Sequence, residues 1–398
     1  MADAPGGAGG PDRPPIRSIA LVTSSAPSLA NFRLPLVVAL AGAGLRVWAL
    51  APDFDAETRR LLVEAGAEPV EIRLDRTGMH PLRDLADARR LTATLRRLRP
   101  DAVFSYFIKP IIYGSVAARR AGVPHRFALM AGMGYVFTHG EKPSLRRRLL
   151  RAMVTRLYRR AFRACERVFF HNRDDLDEMV AMKLLPREKA VVLAGTGVDL
   201  DRFCPPPPVE QPLRFLLAAR LLREKGIEDY VAAARMLKAR RPELEFHLAG
   251  GPDPSPGGLT EEWVEARVRE GVILWHGHVD DIRPQIAASS VYVLPSHREG
   301  KPRSTQEAMA MARPIVTTDA PGCRDTVEEG VNGFMVPVGD SAALAKAMER
   351  FAEEPGLVAT MGAESRRMAE ELFDISKING TILQEIGVRP APAEAPSC

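Results

Sequence analysis

The stretch VYVLPSHREGKPRSTQEAMAMARPIVTT, residues 291–318, alternates two kinds of sequence pattern. Two short apolar runs, Val291–Pro295 and Ile315–Thr318, predict strands because they are bounded by polar or turn residues and contain several β-branched side chains. Between them, Thr305–Ala312 has helical spacing and ends shortly before a proline. A strand, a helix and a second strand in this order form a βαβ unit, whose strands are parallel. The stretch therefore predicts an α/β fold with a parallel sheet.

The same alternation fills the rest of the chain in two blocks. Four prolines, Pro205–Pro208, separate the blocks, because a proline run continues neither a helix nor a central strand. We therefore predict two doubly wound, Rossmann-like domains that face each other across a cleft, with ligands bound at the carboxyl ends of the strands. The predicted parts are a disordered leader at 1–15, an N-terminal domain at 16–200, a linker at 201–212, a C-terminal domain at 213–373, and a C-terminal segment and loose tail at 374–398.

Composition is that of an ordinary globular protein. The 398 residues are 46% hydrophobic and 26% charged. No apolar run reaches the ~18 residues that span a bilayer, and the first residues lack the apolar core of a secretory signal. The four cysteines lie far apart, which disfavours a disulfide framework or a structural zinc site and favours a cytoplasmic location.

Charge is distributed unevenly along the chain. Residues 1–190 hold 32 Lys/Arg and 19 Asp/Glu, a net charge of +13, whereas the rest hold 23 and 31, a net charge of −8. One predicted helix, 144–167, contains nine arginines and one acid. At about 100° per residue, one face carries Arg156, Arg160, Arg163 and Arg167, opposite an apolar stripe. A solvated face explains the apolar stripe, but a nearly pure arginine face predicts contact with anionic lipid or an acceptor pyrophosphate.

Two cations follow the first strand of the second block. Arg220 ends that strand, and Lys225 lies in the next turn, just before Gly226. A strand end that presents an arginine and a lysine is suited to clamping a diphosphate. The alternative is an exposed surface pair beside Glu224.

Two glutamates stand eight positions apart in the opening stretch. Glu299 lies just past a strand end, and Glu307 opens the next helix. Ser304 and Glu307 also fit a capping box, which would explain Glu307 by helix initiation alone. The backbone N–H groups around Ser304 and Thr305 could instead bind a phosphate.

A lysine occupies a similar position in the first block. Lys109 follows a predicted strand and precedes Pro110 and a helix, on the edge where parallel sheets bind ligands. It is either an exposed loop lysine or a contact to an acceptor phosphate.

Taken together, these motifs resemble retaining GT-B glycosyltransferases of glycosyltransferase family 4. The resemblance rests on Arg220 with Lys225, the turn at Leu248–Gly251 and the two glutamates, in this order. In the first block, NFRLPL (31–36), SYFIKPIIYGSVAARRAGVPHRF (105–127) and AGMGYVF (131–137) are similar to bacterial enzymes that extend undecaprenyl-diphosphate-linked sugars, among them N-acetylgalactosaminyltransferases. The similarity runs from Arg17 to Phe373.

The resemblance implies a UDP-sugar donor carrying an N-acetylhexosamine or hexose, and roles for particular residues. Arg220 and Lys225 would hold the donor diphosphate, Glu299 would contact the donor sugar, and Glu307 would accept hydrogen bonds from the ribose. The remaining donor-site residues would be Gly250, His276, Val279, Gly300, Lys301, Ser304 and Thr305. The loop Thr23–Asn31, before a helix predicted at Leu34–Gly44, would close over the cleft.

The acceptor implied by the resemblance is an undecaprenyl-diphosphate-linked sugar, reached from the inner face of the plasma membrane. Lys109 and the basic helix, through Arg156, Arg160 and Arg163, would face this acceptor and the anionic membrane. No metal and no cofactor is implied. Nucleic acid is not expected, because no aromatic stacking platform accompanies the arginines.

Two departures from the family pattern limit what carries over. Where many relatives have E-G-F-G, this chain has Glu299 followed by Gly300, Lys301 and Pro302, and Pro302 has no N–H to donate, so sugar choice does not transfer. Many relatives also place a histidine after the fifth strand. Here His139 is only nearby, and its role is left open. The alternatives are a UDP-sugar epimerase or hydrolase on the same fold, and a basic nucleic-acid-binding protein.

Overall fold

A computed structural model describes residues 14–74, 81–133, 145–206, 212–255 and 257–389. The described chain forms two compact units: the first runs to Thr196 and resumes at Ser376, and the second runs from Gly197 to Ile375. Several predicted features lie outside the described residues: most of the leader, His139, the second half of the AGMGYVF motif, residues 207–211 of the linker, and residues 390–398 of the tail.

The first unit is built on a seven-stranded parallel sheet in the order β3-β2-β1-β4-β5-β6-β7. The strands are β1 (Ser18–Val22), β2 (Arg46–Ala51), β3 (Ala67–Glu71), β4 (Ala102–Tyr106), β5 (His125–Met130), β6 (Arg167–Phe170) and β7 (Ala190–Val192). β1 pairs with both β2 and β4, so the strand order reverses there. Such a reversal opens a crevice at the carboxyl ends of the strands, where doubly wound sheets bind ligands.

The helices of the first unit cover both faces of this sheet. They are α1 (Ala26–Gly42), α2 (Ala56–Glu64), α3 (Pro81–Leu98), α4 (Ser115–Ala121), α5 (Leu145–Ala164) and α6 (Arg173–Ala181), and a π-helical turn, Pro110–Gly114, precedes α4.

The prediction for the segment after β1 is wrong. α1 begins at Ala26, eight residues before the predicted Leu34, so most of the predicted loop Thr23–Asn31 is helical. Pro27 is tolerated because the first helical residues have no N–H partner to lose. Pro35 lies inside the same helix, where a sequence pattern normally indicates a break.

The second unit holds a six-stranded parallel sheet in the order β10-β9-β8-β11-β12-β13. The strands are β8 (Arg214–Ala218), β9 (Glu245–Ala249), β10 (Leu274–Trp275), β11 (Val291–Leu294), β12 (Ile315–Thr318) and β13 (Gly333–Val336). The helices are α7 (Ile227–Lys238), α8 (Glu261–Arg269), α9 (Arg283–Ala288), α10 (Arg303–Ala310), α11 (Ser341–Glu353) and α12 (Gly356–Leu372). β8 pairs with both β9 and β11, so the strand order reverses at β8.

The last helix, α13 (Ile375–Glu385), packs on the first unit although it follows the second in sequence. Ile378, Ile382 and Leu383 are buried in the core that contains β1 and β4. Val388, where the sequence suggests that the loose tail begins, is buried in the same core. Burying an Ile or Leu side chain contributes about 1.5–3 kcal/mol, so this segment is an integral part of the first unit.

The basic helix ends earlier than its arginine pattern predicts. α5 ends at Ala164, and Arg167 belongs to β6, where it pairs with Glu385 at 3.1 Å. Arg167 is therefore not part of the helical arginine face. The predicted apolar stripe is confirmed where Val154, Ala161 and Cys165 are buried against the sheet.

Candidate functional site

The carboxyl edge of the second sheet brings two of the predicted site residues into contact. Lys225 lies in the turn between β8 and α7, and Glu299 follows β11, the strand next to β8. The Lys225 Nζ atom is 2.5 Å from the Glu299 Oε1 atom, and each side chain is only 15% exposed. A largely desolvated ion pair of this kind holds both side chains in a fixed geometry.

Gly226 explains why the lysine reaches this position. Its φ is +70°, and a Cβ atom placed there would lie 2.0 Å from the carbonyl oxygen of Pro295. Only glycine allows the turn to pack its backbone directly on the end of β11. The buried hydroxyl of Ser296, which sequence reasoning missed, donates a 2.8 Å hydrogen bond to the same Glu299 oxygen.

We expect Gly226→Ala to lower the free energy of unfolding by roughly 2–4 kcal/mol, because the left-handed backbone and the displaced Pro295 backbone both cost energy. Gly330→Ala is the matched control: its φ is +76°, but nothing lies within 4 Å of the added Cβ. The control should lose only about 1 kcal/mol. Denaturant unfolding of both variants measures the difference, and equal losses would contradict a packing role for Gly226.

Arg220 has a partner that the sequence did not reveal. Its guanidinium group forms an ion pair with Asp253, whose side chain is largely buried. Burial alone would raise the pKa of Asp253, but hydrogen bonds from Ser255 and the charge of Arg220 outweigh it and hold the pKa below its usual value. The predicted residue Gly250 brings the two segments together, because a Cβ atom there would lie 1.8 Å from the carbonyl oxygen of Ala219.

The loop after Glu299 is fixed by its own contacts. The Glu299 N–H donates to the Pro321 carbonyl at 3.0 Å, and a Cβ atom on Gly322 would lie 2.4 Å from the Glu299 carbonyl oxygen. Lys301 is largely buried, with its Nζ atom 3.2 Å from an Asp325 carboxylate oxygen. The charge of Lys301 is therefore balanced by Asp325. Gly300, between Glu299 and Lys301, belongs to the same fixed loop.

The capping-box explanation of Glu307 is wrong. α10 begins at Arg303, so Ser304 lies inside the helix, and the residue at the N-cap is Pro302, whose side chain makes no capping hydrogen bond. The Glu307 carboxylate instead contacts the Arg303 Nε atom at 2.8 Å. Burial raises the pKa of Glu307, and the charge of Arg303 opposes that rise. Thr305 is fully buried one position beyond Ser304.

The two residues predicted to lie beside the base follow β10. His276 stacks on His247, with ring centroids 5.1 Å apart and a 2.9 Å contact between ring nitrogens. Partial burial and the neighbouring His247 lower the pKa of His276, which favours its neutral form. Val279 lies three residues further on and is partly exposed.

On the first unit, Lys109 is paired within its own domain. Its Nζ atom lies 2.9 Å from an Asp84 carboxylate oxygen, and the Tyr113 hydroxyl donates to the other oxygen at 3.1 Å. Both members of the Lys109–Asp84 pair are mostly buried. An acceptor phosphate that bound Lys109 would have to share its ammonium group with the Asp84 carboxylate.

A buried polar cluster, missed by sequence reasoning, lies at the carboxyl edge of the first sheet. Arg33 is 3% exposed; its guanidinium group is 3.4 Å from His171 Nε2 and lies over the Tyr106 ring at 5.6 Å. The Tyr106 hydroxyl is 3.0 Å from the Ser28 hydroxyl. Phe107, next to Tyr106, has a φ of +72°, a strained value for a bulky residue. Strain and buried charge at a strand end are typical of binding sites. The sequence feature that could have indicated this cluster is Arg33, which lies within the NFRLPL motif.

The exposed face of α5 carries two kinds of side chain. Arg156, Arg160 and Arg163 are exposed, and one or two turns earlier Leu149 is 66% and Met153 38% exposed on the same side. In the part of the chain that the structure describes, no helix is both long and apolar enough to span a membrane.

Both units match family models. Residues 30–196 match the model described as "Glycosyl transferase 4-like domain", and residues 212–354 match "Glycosyl transferases group 1". The two matches fall on the first and second units, respectively.

Individual proteins agree with these models. The chain is 26% identical, over 85% of its length and 90% of the relative's, to a Campylobacter jejuni N,N'-diacetylbacillosaminyl-diphospho-undecaprenol alpha-1,3-N-acetylgalactosaminyltransferase. The structure of sucrose-phosphate synthase from Thermosynechococcus elongatus aligns with a TM-score of 0.74 at 19% identity, covering 92% of this chain and 98% of the other. Anabaena Alr3699/HepE in complex with UDP and glucose aligns with a TM-score of 0.72 at 19% identity, covering 94% and 99%.

Proposed function

Because this chain belongs to the GT-B glycosyltransferases and transfers a sugar from a nucleotide donor, we propose that its donor is a UDP-sugar and its acceptor an undecaprenyl-diphosphate-linked sugar. The Campylobacter relative acts on a diphospho-undecaprenol-linked sugar, and Alr3699/HepE was solved with UDP. Transfer occurs with retention of the anomeric configuration. The observation that carries the proposal is the Lys225–Glu299 contact, which lies where the strand order of the second sheet reverses, on the edge at which β8 also leads into Arg220.

The chemistry follows from where charge develops. When the bond between the sugar and UDP breaks, negative charge grows on the departing diphosphate. Lys225 and Arg220 place positive charge at this edge, and Glu299 and Asp253 hold the two cations in position. In this proposal the diphosphate draws both cations away from full pairing, and Glu299 also accepts hydrogen bonds from the donor sugar.

Glu307 serves the donor nucleotide as an acceptor for ribose hydroxyls. Its raised pKa implies that the carboxylate gains a proton at a higher pH than an exposed glutamate. Affinity for a UDP-sugar should therefore be highest above the pKa of folded Glu307 and fall as the pH drops through that pKa. In Glu307→Gln, affinity should be lower than that of the wild type above this pKa, and this part of the pH dependence should disappear.

Calorimetric titration with an intact UDP-sugar checks this expectation, because its diphosphate diester has no proton to lose near neutral pH. Arg303 remains beside position 307 in the variant, so thermal unfolding should be measured in parallel. Unchanged affinity together with reduced stability would mean that Glu307 serves only the fold of α10.

The first unit supplies the acceptor side in this proposal. The buried cluster of Arg33, Tyr106 and His171 faces the carboxyl edge of its sheet, where a sugar diphosphate can bind. The exposed Leu149 and Met153 with the arginines of α5 form an interfacial surface, which favours peripheral attachment to an anionic membrane. The protein would therefore work on the inner face of the plasma membrane.

The test is a panel of nucleotide sugars incubated with an undecaprenyl-diphosphate-linked N-acetylhexosamine in vesicles, read by mass spectrometry. We expect one added hexose or N-acetylhexosamine on the lipid and stoichiometric UDP. Lys225→Ala is the negative control. Free sugar or an epimerised donor without a lipid product would instead favour the hydrolase or epimerase alternative.

A further inference from the structure

A concavity of about 680 Å³ lies on the first unit, between α4 and α5. Six of its eight lining residues are arginines, and the other two are Val116 and Ala164. The arginines are Arg119, Arg120, Arg156, Arg159, Arg160 and Arg163. Two helices thus converge on one opening that is lined mostly by arginine residues.

Carboxylates do not balance this charge. Among the described residues, none of the six arginines forms an ion pair, whereas their neighbours Arg151 and Arg167 contact Glu178 and Glu385 at 3.9 and 3.1 Å. The hydrogen bonds that Arg159 makes to described residues go to the backbone carbonyls of Met182 and Lys183. Like charges gathered around one opening repel each other, and a bound anion removes that repulsion.

The helix dipole explains only part of the arrangement. Arg119, Arg120 and Arg163 lie in the last turns of their helices, where a cation is favoured by the backbone carbonyls. Arg156 and Arg160 lie further back along α5, beyond the reach of that effect. The helix dipoles also do not explain why arginines from two separate helices, α4 and α5, line the same opening.

The concavity lies at the opposite end of the sheet from the buried Arg33 cluster. α4 ends at Ala121 and β5 begins at His125, while α5 ends at Ala164 and β6 begins at Arg167. The C-terminal ends of both helices therefore lie where the strands begin. A five-residue strand, roughly 16 Å long, separates this edge from the carboxyl edge. An acceptor sugar reacting at the carboxyl edge cannot at the same time fill the concavity.

We propose that the six arginines form a second anion site, which binds a phosphate or diphosphate group carrying two or more negative charges. Guanidinium groups bind phosphate oxygens through paired hydrogen bonds, and a dianion satisfies several of them at once. The ligand is either the phosphomonoester or diphosphate head of a membrane lipid or a soluble polyphosphate. The inference rests on the membrane contact proposed for α5 and extends it from a charged face to a pocket that selects its ligand.

The soluble arm uses inorganic pyrophosphate as the probe. The titration is made on the full chain carrying Arg220→Ala and Lys225→Ala, so that the donor site does not contribute. We expect saturable binding with one component whose affinity falls about tenfold or more when Arg120 and Arg160 are also changed to alanine. Pyrophosphate bound at the proposed acceptor site beside Arg33 should not respond to this change. Arg148→Ala is the matched control, because Arg148 is exposed, lies roughly 16 Å from Arg159 along α5 and does not line the concavity.

The lipid arm compares phosphatidylcholine vesicles doped with phosphatidic acid or with phosphatidylglycerol, adjusted to equal surface charge. A pocket for a dianion predicts tighter binding to phosphatidic acid, and loss of this preference in Arg120→Ala/Arg160→Ala.

The two arms together distinguish the possible ligands. If pyrophosphate binds but the vesicles show no preference, the ligand is a soluble polyanion. If pyrophosphate does not bind and Arg148→Ala weakens vesicle binding as much as the concavity variant, the pocket is refuted and only a charged membrane face remains. Absence of sugar transfer to the lipid acceptor by the wild-type chain, with pyrophosphate binding at the concavity intact, would count against the proposed function alone.

Discussion

Lys225→Ala is expected to lower kcat by about 10²–10³, the usual cost of removing one preorganised charge from a developing anion. The ammonium group is held by Glu299 at 2.5 Å and cannot easily be replaced by water in so enclosed a position. Lys225→Arg should recover part of the lost rate, because it restores the charge with a different shape. Steady-state assays with a UDP-sugar and a lipid-linked acceptor measure both variants.

Two comparisons separate this effect from misfolding. Arg223→Ala removes a cation from the same turn, but Arg223 is exposed and pairs with Glu228, so kcat should change little. Arg220→Ala should match Lys225→Ala in direction, since in the proposed site both cations bind the same diphosphate. Thermal unfolding of all variants identifies loss of fold. A folded Lys225→Ala enzyme with full turnover would remove the lysine from the diphosphate site.

The fold was predictable because it depends on repeated local patterns. Val291–Pro295 and Ile315–Thr318 were predicted as strands and form β11 and β12, and the predicted parallel, doubly wound arrangement is confirmed in both units. The predicted glycosyltransferase family is also confirmed by the two family models. Strand ends follow directly from strand positions, which is why Lys225 and Glu299 could be placed at the same edge before any contact was known.

The partners of the site residues were not predictable in the same way. Asp253 and Asp84 lie 33 and 25 positions from the cations that they contact, and no local pattern links them. Pairing of this kind depends on the three-dimensional course of loops. The error at Ser304 has a different cause. A serine followed three residues later by a glutamate occurs both in capping boxes and inside the first turn of a helix, so the sequence pattern does not distinguish them. Here α10 begins directly after Pro302, which places Ser304 inside the helix.

Reversing Arg156, Arg160 and Arg163 to glutamate should weaken binding to anionic vesicles by about 3 kcal/mol or more at low salt. Each basic residue near such a surface contributes about 1 kcal/mol, and three acids add repulsion. The loss should shrink at high salt, where the membrane charge is screened. Vesicle sedimentation at two salt concentrations measures it. Reversal of Arg73, Arg89 and Arg97, exposed arginines of the first unit outside α5, makes the same change in net charge and is the control.

Activity should then divide according to the acceptor. Turnover of a lipid-linked sugar in vesicles should be lost in the α5 variant, whereas turnover of a short soluble analogue should fall much less, because the proposed donor residues Lys225 and Glu299 belong to the second unit. Equal losses with both acceptors would mean that the α5 arginines support the fold or the reaction itself. Unchanged vesicle binding would place the membrane contact elsewhere. The division by acceptor is informative because α5 contains both the exposed Leu149 and Met153 and the arginines, and attachment to an anionic membrane would use both kinds of side chain.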